Sequence, residues 1–510
     1  MRTRRILGAS LTTLLTVGMV GAAMPSATAG DNTKSDYDGK RVVKVPDAAD
    51  GPVQVLVGGG TIARSIGDDT WRVRVGSVPG GYRNSDFFPA TVTRWHAETT
   101  PAGVNVGAYV DADGRLVPWS GTPGGSMPEP PVADPGPIVL ATGHGSAALV
   151  ANGDTWIQHF ESDGTNTDAW RAYPDPNVDG VPGAEGQSFA LTADGLLAFW
   201  NEPNGDLRVA HRPLRSPETP FTEPITLAPN ESMVRLVNER SSHVLVTQAT
   251  DGTVYAYDYD PEQPPFFTNK RELAPAGSQD AQVLVDRLLT VTVAWKEAGD
   301  DGGLVLRQLD RPRSSYLERP TLVPGTRRAD ARVVTSTRGT LTVALRRNSE
   351  NAIVRVKHLP AGKTKWTNGV RLISPKPITG SSAGWDLGTP RPNGNLTLAV
   401  NDTVGVYAFR FDAPRPYTKV TRPVRKTQKV KTYRIKANTS WAFADNWEFR
   451  MRRDKGKRYG AWKTVAVAEG ENSKVVTRPR GQKWCYQAKA FLGDRQVTKW
   501  SEQKCVSVRR

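Results

Sequence analysis

Two short segments, Trp200-Asn201-Glu202 and Trp295-Lys296-Glu297, each set an indole beside a carboxyl. An indole face stacks on a sugar ring, and a pair of carboxyls supplies the acid and base that break a glycosidic bond. Glu202 and Glu297 are therefore the candidate catalytic residues, and Trp200 and Trp295 the candidate ligand platforms. The same residues have a plainer reading, in which the tryptophans pack in a core and the glutamates open solvated turns. The likeness of the two segments favours packing, because scaffold positions recur while a single catalytic site need not.

Other motifs carry less chemistry. Gly380-Ser381-Ser382-Ala383-Gly384 has the spelling of a nucleophile elbow, but that device needs a helix after the serine, and Trp385-Asp386-Leu387-Gly388-Thr389-Pro390 is no helix. Gly58-Gly59-Gly60 lacks the Lys-Ser/Thr ending of a phosphate loop and reads as a bend. Asp111-Ala112-Asp113-Gly114 opens like a calcium loop but has no distal bidentate glutamate. His144, His159, His211 and His243 show no ligand spacing, so neither a metal nor another cofactor is expected.

The strongest surface signal is positive charge. The formal net charge is +16, and the last 93 residues hold about 25 Lys and Arg against about 7 Asp and Glu, so the whole excess sits there. Arg450, Arg452, Arg453, Lys455, Lys457 and Arg458 crowd one predicted turn, and Arg422, Arg425, Lys426, Lys429 and Lys431 lie near residue 416. Such a face concentrates anionic polymers and loses them as salt rises. Acidic wall glycopolymers, anionic lipid heads and extracellular DNA all have the required chemistry, without sequence-specific nucleic-acid reading. A solubilising surface is the bland alternative.

The elements that must hold these residues are repeated hairpins. Four units close at Pro229, Pro275, Pro324 and Pro375, about 46 to 51 residues apart, which fits a propeller blade. In each, an alternating apolar run such as Leu341, Val343 and Leu345 predicts a half-buried strand. The turns carry Asn204-Gly205, Asp251-Gly252 and Asp300-Asp301-Gly302, which accept the positive φ of a tight hairpin. A sheet this small cannot cover both faces, so it must stack on neighbours, and a closed ring removes the exposed ends. Residues 53–137 read as one long blade or nearly two short ones, and residues 381–411 as a short last blade completed from the amino end. The count is six to eight, with seven expected.

Arg2, Arg4 and Arg5 precede an apolar run from Ile6 to Met24, and Ala27-Thr28-Ala29 suits a signal peptidase. The chain is therefore expected to be exported, with Gly30 the first mature residue and no transmembrane segment beyond the signal. Cys485 and Cys505, the only cysteines, are expected to pair in an oxidising compartment.

After Pro416 the pattern becomes short strands with polar turns. Trp447, Phe449 and Met451, then Gly460-Ala461-Trp462, the Cys485-Tyr486-Gln487-Ala488-Lys489-Ala490 run and Trp500-Ser501 together resemble a fibronectin type III domain, which implies a binding or spacer module. Val293-Ala294-Trp295, and in part Phe199-Trp200, resemble the strands of bacterial sialidase-like propellers. Their Ser-x-Asp-x-Gly-x-x-Trp box is absent, with only Ser162-Asp163-Gly164 and Trp170 near it.

The sequence thus predicts an all-β protein: a signal at 1–29, a flexible leader at 30–50, a propeller of about seven blades at 51–416 and a basic β-sandwich at 417–510. The expected function is that of a secreted, non-catalytic, monomeric binding protein. Its propeller would recognise a glycan or surface protein, and its sandwich would hold to cell-wall or other anionic polymers. The alternatives are a secreted glycoside hydrolase or lyase and a purely structural assembly protein.

Overall fold

The computed structural model describes most residues between 38 and 507, with side chains chiefly from 188 onward. Residues 1–37, 46–52, 85–93, 121–137, 160–170, 174–187 and 214–220, with shorter loop segments, lie outside the described residues. The export signal, the start at Gly30, Gly58-Gly59-Gly60, His144 and Ser381-Ser382-Ala383 fall there. Among the described residues there is no α-helix, only a short 3-10 turn at Ser315–Leu317, and no helix long and apolar enough to cross a membrane.

Among the described residues eight small antiparallel sheets follow one another, seven of four strands and one of three. We number them as blades: blade 1 at 53–84, blade 2 at 94–120, blade 3 at 138–173, blade 4 at 188–228, blade 5 at 231–274, blade 6 at 279–322, blade 7 at 329–373 and blade 8 at 385–412. In blades 1 to 7 the strands pair in chain order, each blade a meander. First strands of consecutive blades lie side by side from blade 2 to blade 8, and Val53–Leu56 of blade 1 packs on Trp385–Leu387 and Leu396–Asp402 of blade 8. The result is a β-propeller whose last blade meets its first. It has one blade more than the seven expected, because residues 53–137 hold two sheets.

Blade 8 supplies three strands of its own, and Asp38–Val45 pairs antiparallel with Gly405–Asp412 to make the fourth. That stretch lies in the segment expected to be either a flexible leader or a strand that closes the ring, and it is the outer strand of the last blade. Its Val42-Val43 centre, in register with Phe409 and Ala408, has the β-branched character a ladder favours.

Alternation misstates how these strands are buried. In Leu341–Arg347 six successive residues are buried, Thr342 and Ala344 as completely as Leu341 and Val343. Both faces of a blade are covered because each packs against a neighbour, and the apolar clusters accordingly span blade pairs. Val246 of blade 5 shares a cluster with Val293 of blade 6, and Ala294 shares one with Val343 of blade 7. The turns follow expectation where Gly205 and Gly252 adopt φ of 90° and 91°. In blade 6 the turn is longer, and the positive φ falls on Gly299 instead of Gly302.

Equivalent inner-strand residues stitch one blade to the next. Arg235 Nη1 donates to Val283 O at 3.4 Å, Arg332 lies 3.5 Å from Asp386, and Asp386 Oδ2 accepts the Val55 amide at 2.7 Å across the junction that closes the ring. Burial raises the Asp386 pKa against the opposing pull of the Val55 amide and Arg332.

Tyr417 begins a different body. One sheet joins Tyr417–Val420, Val424–Arg425 and Ser473–Thr477 to the central strand Thr432–Ser440; the other joins Lys463–Val465, Asn446–Asp454, Lys483–Leu492, Arg495–Gln496 and Lys504–Ser507. Tyr433, Ile435, Phe449, Tyr486 and Ala488 fill the space between them. Cys485 and Cys505 sit opposite one another on adjacent strands and are disulfide-bonded.

The two bodies share a core residue. Trp441, just past Thr432–Ser440 and held at φ 61°, joins the cluster of Trp385, Tyr407 and Phe411 in blade 8 and Val354 and Val356 in blade 7. Its ring lies edge-on to the fully buried imidazole of His358, 6.1 Å between centroids. The sandwich is thus docked on the propeller through an inserted indole.

Candidate functional site

The carboxyls nominated for catalysis belong to separate blades and are engaged locally. Glu202 sits in the turn after Gly195–Asn201, where its carboxylate lies 3.3 Å from Arg208 on the next strand. Glu297 sits in the corresponding turn of blade 6, 3.4 Å from Arg327, and accepts the Gly303 amide. Trp200 and Trp295 are 3 % and 2 % exposed and belong to apolar clusters, so neither offers a face for a sugar. Burying such side chains contributes a few kcal/mol each, which is what a repeated scaffold position does.

The remaining motifs also resolve into local structure. Asp111 Oδ1 accepts the Asp113 and Arg115 amides at 2.9 Å and so organises its own hairpin turn. Gly384 is followed by the strand Trp385–Leu387, where an elbow would need a helix. Among the described residues, Asp454, Cys485 and Cys505 approach one another as metal ligands would, but both sulfurs are committed to the disulfide. A buried carboxylate that sequence reading passed over, Glu231, accepts Thr247 Oγ1 at 2.6 Å and Tyr257 OH at 2.9 Å and pairs with Lys270. Burial, then the Glu231 charge, raises the Tyr257 pKa, so this group stays a neutral donor.

The cationic residues of the sandwich separate into two sets. Arg450 and Arg452 lie on one face of Asn446–Asp454, two residues apart, as the period of a strand dictates. There they enter an alternating stack of aromatic and cationic groups. Arg452 lies 3.9 Å from the Tyr459 ring centre and 4.3 Å from that of Trp462, Arg450 lies 4.6 Å from Trp462 and 4.0 Å from Trp500, and Lys489 lies 4.8 Å from Trp500. Arg450 donates twice to Gln487 Oε1 and Arg452 donates to Gln503 Oε1, which fixes the planes of both guanidiniums. Burial, with Arg452 alongside, lowers the Arg450 pKa. Cation–π contacts of this kind contribute about 0.5 to 2 kcal/mol each.

Arg453, Lys455 and Arg458 are instead exposed at the turn, and Lys457 lies outside the described residues. The other sheet presents a second set that sequence reading did not single out. Arg434 and Lys436 on Thr432–Ser440 and Lys419 on Tyr417–Val420 all face solvent. The alternation Tyr433-Arg434-Ile435-Lys436-Ala437 carried that signal, apolar in and cationic out.

These features define an eight-bladed β-propeller with a β-sandwich docked on its last two blades. No protein-family profile matches the chain, and no curated protein matches it. Solved structures that are similar include the β-propeller proteins Sqt1 of Saccharomyces cerevisiae and Hsv2 of Kluyveromyces lactis. The first is 11 % identical with a TM-score of 0.41, covering 72 % of this chain and 98 % of that one. The second is 10 % identical with a TM-score of 0.36, covering 74 % and 98 %. Likenesses at this level say nothing of what this chain binds.

Proposed function

We propose that the protein is exported and acts as a non-catalytic binding protein, its propeller recognising a glycan or a surface protein and its sandwich holding to anionic polymers of the envelope. The observation that carries the second half is the division of the sandwich cations. Arg450 and Arg452 are spent on the internal stack, whereas Arg434, Lys436, Lys419, Arg453, Lys455 and Arg458 face solvent with little acidic charge on the same body. Such a surface attracts polyanions through counterion release. The pairing of one sheet built on Thr432–Ser440 with a second built on Asn446–Asp454 and Lys483–Leu492 supports the fibronectin type III resemblance. The Arg2, Arg4 and Arg5 cluster before an apolar run supports export. For the propeller, Glu202 and Glu297, each tied to its own blade's or neighbour's arginine, favour binding over glycoside hydrolysis.

The test is retention of the full mature chain on isolated cell wall and on anionic vesicles as salt is raised. Deleting residues 417–510 is unsuitable, because it would strip Trp441 from the propeller core. A triple variant, Arg434→Glu, Lys436→Glu and Lys419→Glu, should release the protein at lower salt than the parent. Retention that ignores both salt and the triple variant, or sugar released from the wall by the parent chain, would overturn the proposal.

A further inference from the structure

The sheet built on Thr432–Ser440 turns one face to the core and the other to solvent, and the solvent face carries charge of a single sign. Arg434, Lys436 and Asn438 follow one another at every second residue of that strand and face outward, while Tyr433, Ile435 and Ala437 are buried. Lys419 of Tyr417–Val420 stands opposite Asn438 in register, so it continues the line of cations one step beyond Lys436 and one strand across. On the other side Val475 stands opposite Arg434, and Ser473 opposite Lys436. No strand of this sheet contains Asp or Glu. Among the described residues the charged ends of Arg434, Lys436 and Lys419 have neither a hydrogen bond nor an ion pair.

The opposite sheet is engaged with itself. Asp454 holds Lys483 at 2.8 Å and Glu448 holds Lys489 at 2.9 Å. Its rings are occupied too, since Trp462 lies within cation–π reach of Arg450 and Arg452, and Trp500 within reach of Arg450 and Lys489. Arg453, Lys455 and Arg458 are exposed there, but at a turn, where no regular spacing is imposed. The line from Arg434 to Lys419 is where the sandwich offers cations at a fixed pitch.

That pitch selects a polymer. Side chains on one face of a strand recur every ~7 Å, and neighbouring strands stand ~5 Å apart. A glycerol phosphate repeat runs through as many backbone bonds as two peptide residues, so in an extended chain its phosphates also recur every ~7 Å. Each phosphate then meets one cation, and the hydroxyls between them meet uncharged polar side chains such as Asn438 and Ser473. A nucleotide repeat has the same backbone length but adds a base, and sites for single strands supply aromatic platforms for successive bases. Among the described residues Tyr417, at one end of the line, is the one ring this face presents. Polyuronates carry their charges on rigid sugar rings, which call for aromatic faces in the same way. We propose that the outer face of the Thr432–Ser440 sheet binds an extended polyol phosphate polymer of glycerol phosphate repeat, consecutive phosphates lying on Arg434, Lys436 and Lys419. The inference rests on the reading of the sandwich as a polyanion-binding module and names the polymer.

The test is titration of the full chain, over a range of salt, with synthetic glycerol phosphate oligomers, oligothymidylate and oligogalacturonate of matched charge. The glycerol phosphate oligomer is expected to bind saturably, with a slope of log affinity against log salt of about −2, as for three phosphates of a single strand. The other two should bind at least about fivefold more weakly. Lys436→Asn combined with Asn438→Lys keeps the net charge but breaks the pitch, and should weaken binding of the glycerol phosphate oligomer by about fivefold. Lys436→Gln should make the salt slope shallower by about 0.7. Lys365→Gln, in the propeller, should change neither affinity nor slope, and all variants should melt with the parent. Equal affinity for the three polyanions, or full affinity in the pitch-breaking variant, would overturn this inference and leave the sandwich a general polyanion binder. Binding to none of the three would overturn that broader reading as well.

Discussion

Acidification should loosen the joint between the propeller and the sandwich, and the size of the effect follows from one imidazole. His358 is fully buried, its Nδ1 2.9 Å from Thr342 Oγ1 and its ring edge-on to Phe411 and Trp441. Burial pushes its pKa down to about 3, from about 6.5 in an unfolded chain. The neutral form is therefore the one that packs, and between those two values the unfolded chain binds the extra proton. Stability from this group is complete above about pH 6.5 and is lost as the pH falls toward 3. Linkage gives a loss of about 2 kcal/mol between pH 8 and pH 5 from this one site. Other carboxyls and histidines titrate in the same window, so the measurement is a difference. Denaturant unfolding, followed by tryptophan fluorescence, would be run at pH 8 and pH 5 for the parent and for His358→Gln, which keeps a polar partner for Thr342. The variant should be less stable at pH 8 but lose about 2 kcal/mol less on acidification. Equal losses in the two proteins would refute the reasoning and mean that the imidazole is protonated, or wetted, in the folded state.

Three further outcomes follow from the geometry. Reducing the Cys485–Cys505 disulfide, which closes a loop of 20 residues, should destabilise the sandwich by about 3 kcal/mol on the chain-entropy model, seen as a lower melting temperature with reductant in calorimetry. Trp500→Ala removes the ring shared by Arg450 and Lys489 and should cost about 2 to 4 kcal/mol, whereas Arg453→Ala, outside the stack, should cost under about 0.5 kcal/mol in the same urea titration. Asp386→Ala strands the Val55 amide at the ring-closing junction and should cost about 1 to 3 kcal/mol, with Asp386→Asn nearer neutral because an amide oxygen can still accept; hydrogen exchange at Val55 reads the difference directly.

Much of the architecture was legible because hairpins advertise themselves locally. Gly205 and Gly252 stand where a turn demands positive φ, and the closing prolines fall where a strand must stop. The outer strand of blade 8 was legible from a deficit, since 381–411 held too few strands for a blade. What escaped depends on distant chain segments meeting. Arg450, Trp462 and Trp500 form a stack only because the strand Asn446–Asp454 and the segments leading into Lys463–Val465 and Lys504–Ser507 come together, and no spacing along the chain encodes that. Nothing along the chain sets Trp441 apart from the other tryptophans after residue 416, and only packing shows it crossing into blade 8. Glu202 and Glu297 drew attention as chemistry because sequence shows a carboxyl beside an indole without showing that the indole points inward.

The pairing of Asp38–Val45 with Gly405–Asp412 makes the first described strand wait for the last strand of the propeller. A chain emerging from a ribosome or a translocation channel can build its middle blades as they appear, yet the circle stays open until more than 360 further residues have been delivered. Through that interval Asp38–Val45 has no partner strand, and a nascent chain halted before residue 405 displays its edge and the free edge of Leu396–Asp402 to its neighbours. Stalled synthesis is thus an event that exposes this chain's open strand edges to aggregation.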